Sequence, residues 1–361
     1  MYNREKEVSA LKEELYARLP QALLPWYEKN KRDLPWRQDR QPYHVWLSEI
    51  MLQQTRVEAV KGYYRRFLNA LPNICALSQC DDDTLHKLWE GLGYYNRVKN
   101  LKKCAIAIME HHGGNFPTTY EEVLALPGIG PYTAGAICSI CYDLPTPAVD
   151  GNVLRILSRI TADPTPIDRP SFQANVRVHL AKVYPAQAGT FTQALMELGA
   201  TVCGPNKRPD CQNCPCRDFC RGAKLGCPEN FPVKSPKKPR KTEELTLFLL
   251  SCDGRFALEK RPNGGLLAGL WQFPNVPGNL SPEKALLQTQ VFDLNPKELL
   301  LQLHRSHIFT HVQWNMTAYL IRVQTPGSDF LWLTPDEIEN TTALPTAFRQ
   351  FWEELKQANL L

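Results

Sequence analysis

Six cysteines, Cys203, Cys211, Cys214, Cys216, Cys220 and Cys227, crowd one short, proline-interrupted segment of the chain. Four of them follow the spacing Cys203-x7-Cys211-x2-Cys214-x5-Cys220, with Cys216 as an extra. Thiolates at such intervals can converge on one metal centre, and a loop this polar has little core in which to bury plain thiols. A tetrahedral zinc site and a [4Fe–4S] cluster both accept four thiolates, and the spacing alone leaves both open.

A second chemistry is offered by "LPGIGPYTAGAI", from Leu126 to Ile137. Gly128 and Gly130 flank one isoleucine just before a helix start, a form in which exposed backbone amides can take a phosphate. Helix packing needs such a turn equally often. Downstream, "PAVDGNVLRIL" places Asp150 just before Gly151 and a new helix, where an aspartate can be an N-cap or a functional carboxylate.

These residues need elements to position them. Up to about Cys227 helix periodicity dominates: "SEIMLQQTRVEAVKGYYRRFL" puts Ile50, Val57, Val60 and Tyr64 near one face. Turn signals such as "HHGGNFP" and "LPTPAVDGN" punctuate the run, giving a mostly helical domain with short connections. Residues 232–244, "PVKSPKKPRKTEE", are basic and proline-rich and read as an exposed linker. Beyond them "LTLFLLSCDGRFALEKR" reads as a hairpin turning at Asp253-Gly254, "WNMTAYLIRV" as a strand and "AFRQFWEELKQANLL" as a closing helix. The C-terminal part is therefore a separate α+β domain.

The chain has 361 residues, enough for two or three domains, with 42 Lys and Arg against 37 Asp and Glu. No run of apolar residues is long enough for a membrane span, and the charged N-terminus lacks an apolar signal core, so a cytoplasmic location is expected. In that setting twelve cysteines are not a disulfide framework. Cys75, Cys80, Cys104, Cys138 and Cys141 fall in apolar helical patterns and are expected to be buried free thiols.

The Gly-Ile-Gly turn, the loop of Asp150 and the cysteine segment come in the order found in the helix-hairpin-helix DNA glycosylase superfamily. The resemblance covers about Pro25 to Cys220. The cysteine segment is similar to the iron–sulfur loop of endonuclease III-type enzymes, Cys-x6-Cys-x2-Cys-x5-Cys, with one extra residue between Cys203 and Cys211. "WLSEIMLQQTRVE", "LWEGLGYYNRVKNL", "LPWR" and "PAVDGNV" further resemble the MutY-type adenine glycosylases, and with the C-terminal domain the match spans nearly the whole chain.

The resemblance implies a multidomain protein. An all-α helix-hairpin-helix glycosylase core would take residues 1–231, with the hairpin at about 126–137 and an iron–sulfur loop at 203–220. The linker 232–244 and a Nudix-like α+β domain over 245–361 would follow. It implies a [4Fe–4S] cluster on Cys203, Cys211, Cys214 and Cys220. Glu49 would be the general acid that protonates adenine, with its pKa raised amid Trp46, Ile50 and Met51. Asp150 would stay ionised and stabilise or capture the sugar cation, as in sugar hydrolases. Asn152 would orient the reacting groups and Tyr132 would hold the sugar side. A lysine stands at that position in the bifunctional relatives, and a tyrosine cannot form an imine, so hydrolysis without efficient strand cleavage is implied.

By the same resemblance Gln53, Gln54 and Tyr94 would be the wedge that replaces the extruded base, and Arg37 and Glu197 would contribute to the adenine pocket. Gly128 and Gly130 would grip the DNA backbone. Several basic residues, among them Arg97, Lys102, Lys207 and Arg208, could track phosphates. "EKRPNGGLLAGLWQFP" resembles a Nudix domain, but the acidic magnesium box of that family is missing, which implies binding without hydrolysis. "HIFTHVQW" matches the segment that reads 8-oxoguanine, giving Phe309, Thr310 and His311, with Thr310 in place of the usual serine. The implied partner is double-stranded DNA carrying adenine opposite 8-oxoguanine or guanine, bound by a bacterial-type monomer with no membrane association.

Overall fold

A computed structural model describes residues 2–205, 208–236 and 239–361, with side chains from residue 10 onward. Lys207, Lys237 and Lys238 lie outside the described residues. The chain forms two compact units, Met1–Gln79 with Lys99–Pro236, and Cys80–Val98 with Lys237–Leu361. Among the described residues no helix is long and apolar enough to cross a membrane.

The first unit is built of helices whose ends are set by local chemistry. Thr119 caps the helix Tyr120–Ala125 by accepting from the Glu122 amide. The Leu126–Gly130 turn follows, and Pro131 opens the helix Pro131–Tyr142, where its missing N–H costs nothing. Asp150 caps Gly151–Thr161 through the Val153 amide. The helix Ala188–Thr201 packs against both of these helices. Its Phe191, Leu195 and Leu198 join Ile156, Leu157 and Ile160 in one core, to which Cys203, Cys216 and Cys220 also belong.

The second unit is a seven-stranded sheet: β1 Lys241–Cys252, β2 Arg255–Lys260, β3 Trp271–Gln272, β4 Asn275–Pro277, β5 Pro296–Ile308, β6 Val312–Val323 and β7 Leu331–Leu333. The order is β3-β2-β1-β6-β5, with β4 also paired to β1 and β7 to β2. The β1–β6 pair is parallel and the β5–β6 pair antiparallel. Asp253 and Gly254, both at positive φ, make the tight turn between β1 and β2. Alternation along β1 builds two cores. Leu247 and Leu249 meet Phe348, Phe351 and Trp352 of the helix Thr346–Gln357, while Phe248 and Leu250 face Ala285 of the helix Pro282–Val291.

Two features differ from the sequence expectation. A boundary at residue 231 leaves Cys80–Val98 with the helices, yet polar anchors hold it in the second unit. Asp83 accepts from Lys260 Nζ at 2.9 Å and from Trp271 Nε1 at 3.2 Å. Glu90 accepts from the Leu344 amide at 2.9 Å and from Arg349 Nη2 at 2.7 Å. The segment 232–244 is also pinned at both ends. The Ile167 amide donates to Val233 O, the Ser235 amide donates to Asp168, and Lys241–Glu244 already lie in β1.

All twelve cysteines are free thiols. Of the five expected in helix interiors, Cys104 and Cys138 are buried, whereas Cys75, Cys80 and Cys141 are only half-buried. Those three stand at or beside helix ends, where the core no longer surrounds them.

Candidate active site

One cavity of about 570 Å³ in the first unit is lined by Arg37, Glu49, Gln53, Gln54, Tyr132, Asp150 and Asn152. Seven residues far apart in the chain therefore share one space of the size that small ligands occupy. Glu49 reaches it from the helix Pro42–Leu52, Tyr132 from the first turn of Pro131–Tyr142, and Asp150 from its capping position. Glu197 does not line the cavity. It is fully buried and accepts from Arg32 Nε at 2.6 Å and Arg37 Nη2 at 2.7 Å, so it acts on the cavity by fixing two arginines. Arg32 lines the cavity as well; nothing in the pattern "NKRDLPWR" marks it as Arg37's partner.

The two carboxyl groups have different surroundings. Glu49 is 6% exposed, and burial pushes its carboxyl up to about 7. The Tyr132 hydroxyl, which donates to Glu49 Oε2, opposes that rise; the nearby Asp150 adds to it, and Arg37 opposes it. Asp150 is also raised by burial, but its oxygens accept from two donors that favour the anion. The Val153 amide binds Oδ1 at 2.8 Å and Asn152 Nδ2 binds Oδ2 at 2.6 Å. The N-cap bond uses Oδ1 alone, so capping leaves Oδ2 to a second partner, Asn152.

Asn152 is itself held. Its Oδ1 accepts from Arg155 Nη2 at 2.8 Å, and Arg155 donates onward to Gly199 O at 2.9 Å and Cys203 O at 2.8 Å. A β-carbon at Gly199 would stand 2.7 Å from Asn152 Cβ, so the close approach of this helix requires glycine. A continuous hydrogen-bonded chain thus runs from Asp150 to the first residue of the cysteine segment. Sequence reasoning missed Arg155 and Gly199, because their partners are distant in the chain.

At the hairpin turn, Gly128 has φ +75° and a β-carbon there would lie 2.6 Å from Asn100 Cβ. Gly130 caps the helix with open space beside it. In the second unit, Tyr94 is 50% exposed at positive φ, with the Arg97 guanidinium over its ring. Arg97 also donates to Leu92 O and Gly93 O, which makes it a brace for this turn rather than an open phosphate contact. Tyr94 Oη lies 3.4 Å from Thr310 Oγ1. Phe309 is half-buried and packs its ring against His307 and Trp314, while Thr310 and His311 are exposed.

Cys203, Cys211, Cys214, Cys216 and Cys220 line one cavity at the edge of the helical core. Among the described residues no three His, Cys, Asp or Glu side chains close on a single metal ion. Zinc needs its four ligands within about 2.3 Å of one point. A [4Fe–4S] cluster carries its four thiolates on separate irons and needs them only around a common space. Five thiols on one lining, with Arg159 Nη1 donating to Cys203 Sγ at 3.1 Å, suit the latter's donor set.

A helical unit with a capped hairpin, a buried carboxyl facing a capping aspartate, and a cysteine segment joined to that aspartate define a helix-hairpin-helix base-excision repair protein. Residues 47–176 match the HhH-GPD superfamily of base excision DNA repair proteins, and residues 246–354 match the NUDIX domain. The adenine DNA glycosylase of Rattus norvegicus is 37% identical to this chain, covering 92% of it and 77% of the rat protein. That of Homo sapiens is 36% identical, covering 91% of this chain and 72% of the human protein. The chain belongs to the adenine DNA glycosylase family. Among solved structures, a thermostable thymine-DNA glycosylase superposes with a TM-score of 0.51 at 24% identity, over 59% of this chain and 97% of that one. Endonuclease III trapped on DNA gives 0.51 at 21% identity, over 60% and 98%. Both share the fold of the helical unit.

Proposed function

We propose that this protein removes adenine from double-stranded DNA, where adenine is mispaired with 8-oxoguanine or guanine, by hydrolysing the N-glycosidic bond. The observation that carries this reading is the pair Glu49 and Asp150 on one cavity with opposed surroundings. With its carboxyl near 7, Glu49 holds a proton at neutral pH and gives it to adenine N7. The C1′–N9 bond then breaks with its electron pair leaving on adenine. Asp150, its charge supported by the Val153 amide and Asn152, stabilises the sugar cation. Water adds at C1′ and its proton returns to the Glu49 carboxylate.

Tyr132 supports hydrolysis without efficient strand cleavage, since its hydroxyl is engaged with Glu49 and offers no amine. Gln53 and Gln54 at the cavity mouth fill the vacated stack, Gln54 already held exposed at φ 58°. Tyr94 inserts on the opposite strand, beside Thr310, and Phe309, Thr310 and His311 read 8-oxoguanine. Gly128 and Gly130 present the hairpin turn to a phosphate. A [4Fe–4S] cluster on Cys203, Cys211, Cys214 and Cys220 would cross-link the loop that Arg155 ties to Asn152. The protein acts as a cytoplasmic monomer on the nucleoid.

The test is adenine release from oligonucleotide duplexes under single-turnover conditions. Asp150→Asn is expected to lose release by several orders of magnitude while binding the duplex as before. Undiminished release would overturn the assignment, and equal release from T:G duplexes would overturn the choice of base.

A further inference from the structure

Tyr94 stands on a turn whose backbone needs outside support. Gly91 and Gly93 have φ of 94° and 69°, and Tyr94, with a full side chain, has φ 48°. A non-glycine residue keeps such an angle only where its surroundings impose it. The far side of the turn is braced by Trp89 Nε1, which donates to Gly93 O at 3.0 Å, and by Arg97. The near side begins at Glu90, which directly follows the helix Asp82–Trp89.

Glu90 uses both of its oxygens on the second unit. Oε1 accepts from Arg349 Nε at 3.1 Å and Nη2 at 2.7 Å, and from the Leu344 amide at 2.9 Å. Oε2 accepts from Lys87 Nζ at 2.7 Å, and Lys87 donates onward to Thr342 O at 2.9 Å. The Glu90 and Arg349 side chains are only 16% and 22% exposed, so salt screens the pair poorly. Arg349 lies on the helix Thr346–Gln357 and also pairs with Glu339 at 3.0 Å and Glu353 at 3.1 Å. Those two carboxylates already balance the guanidinium. What the Glu90 contact adds is the attachment of the turn.

We propose that Arg349 is a positioning residue for Tyr94. Through Glu90 it clasps the turn to the same compact unit that carries Phe309, Thr310 and His311, so that the opposite-strand wedge and the reader of 8-oxoguanine are presented together. This rests on the roles proposed above for Tyr94 and for those three residues. Releasing the clasp should weaken the choice of the base opposite adenine and spare the removal of adenine itself.

The experiment measures single-turnover adenine release from A:8-oxoG and A:G duplexes, with amide hydrogen exchange across residues 90–97, on full-length protein. The variants are Arg349→Met, Glu90→Gln, Glu339→Gln, Tyr94→Ala and Tyr94→Ala/Arg349→Met. Arg349→Met and the milder Glu90→Gln should each lower the ratio of the two rates by about 5-fold or more and speed exchange across the turn. Glu339→Gln removes a different partner of Arg349, so it should lower the thermal midpoint and leave the ratio alone. The double variant should show the ratio of Tyr94→Ala, because Arg349 acts through Tyr94. A wild-type ratio in Arg349→Met, an equal fall of both rates, or a further fall of the ratio in the double variant would overturn the clasp. A wild-type ratio in Tyr94→Ala would instead overturn the wedge role, and the clasp's function with it.

Discussion

Replacing Tyr132 with phenylalanine removes one hydroxyl and tests how the acid is tuned. Burial is the main force raising the Glu49 carboxyl to about 7, Asp150 reinforces it, and the Tyr132 hydroxyl and Arg37 pull it back. With the hydroxyl gone, only Arg37 still opposes the rise, so the carboxyl moves further up. The hydroxyl can donate to either protonation state, so only the difference between the two counts. A hydrogen bond to a charged group contributes about 1.5–3 kcal/mol and one to a neutral group about 0.5–1.5. The difference is about 1.4 kcal/mol, equivalent to roughly one pH unit. A general acid must carry its proton, so near pH 8 about a tenth of the wild-type enzyme is competent, against about half of Tyr132→Phe.

The assay is single-turnover adenine release over a range from about pH 6 to about pH 9. The alkaline limb of the variant should lie about one pH unit higher, while its plateau rate falls because the sugar side of the site is altered. Tyr132 does not confuse the profile, since burial first and then the Glu49 charge hold its own hydroxyl well above the ordinary value. The same sign governs stability. A carboxyl raised on folding favours the folded state below its ordinary value of 4.5, and that contribution is lost as the pH rises through about 7. A limb that stays in place, or moves to lower pH, would refute either Glu49 as the acid or the hydroxyl as its brake.

Arg155→Ala should slow adenine release about 10–100-fold, from loss of a charge-assisted contact of about 1.5–3 kcal/mol to Asn152, with duplex affinity unchanged. An unaltered rate would show that Asn152 keeps its place without it. Gly199→Ala should lower the unfolding free energy by about 1–3 kcal/mol and slow release as well, because its methyl must displace Asn152. Thermal unfolding and the single-turnover rate check the two effects. Borohydride should trap little covalent enzyme–DNA adduct, and abundant trapping would refute the argument from Tyr132.

What was legible in the sequence was local. Asp253-Gly254 announces its hairpin because two positive φ angles have few other residue choices, and the hydrophobic periods of the helices and of β1 are properties of adjacent residues. The candidates that share the cavity could be named through the resemblance, since each motif sits on a single element. The contacts that organise them were not legible. Arg32 meets Glu197 across the helical unit, and Gly199 looks like any small residue in "LMELGAT" until Asn152 stands against it.

Asp150 shows how such contacts bear on the proposed function. As a cap alone it would need one oxygen for one amide, and a serine would serve as well. Here the second oxygen is taken by Asn152, which Arg155 holds, and Arg155 is fixed in turn by carbonyls at Gly199 and Cys203. The cap sets the carboxylate at the cavity wall; the chain behind it sets where the second oxygen points. A serine cap would keep the helix and lose the charge. The local rule that makes Asp150 look ordinary is therefore the rule that would place it for the proposed chemistry.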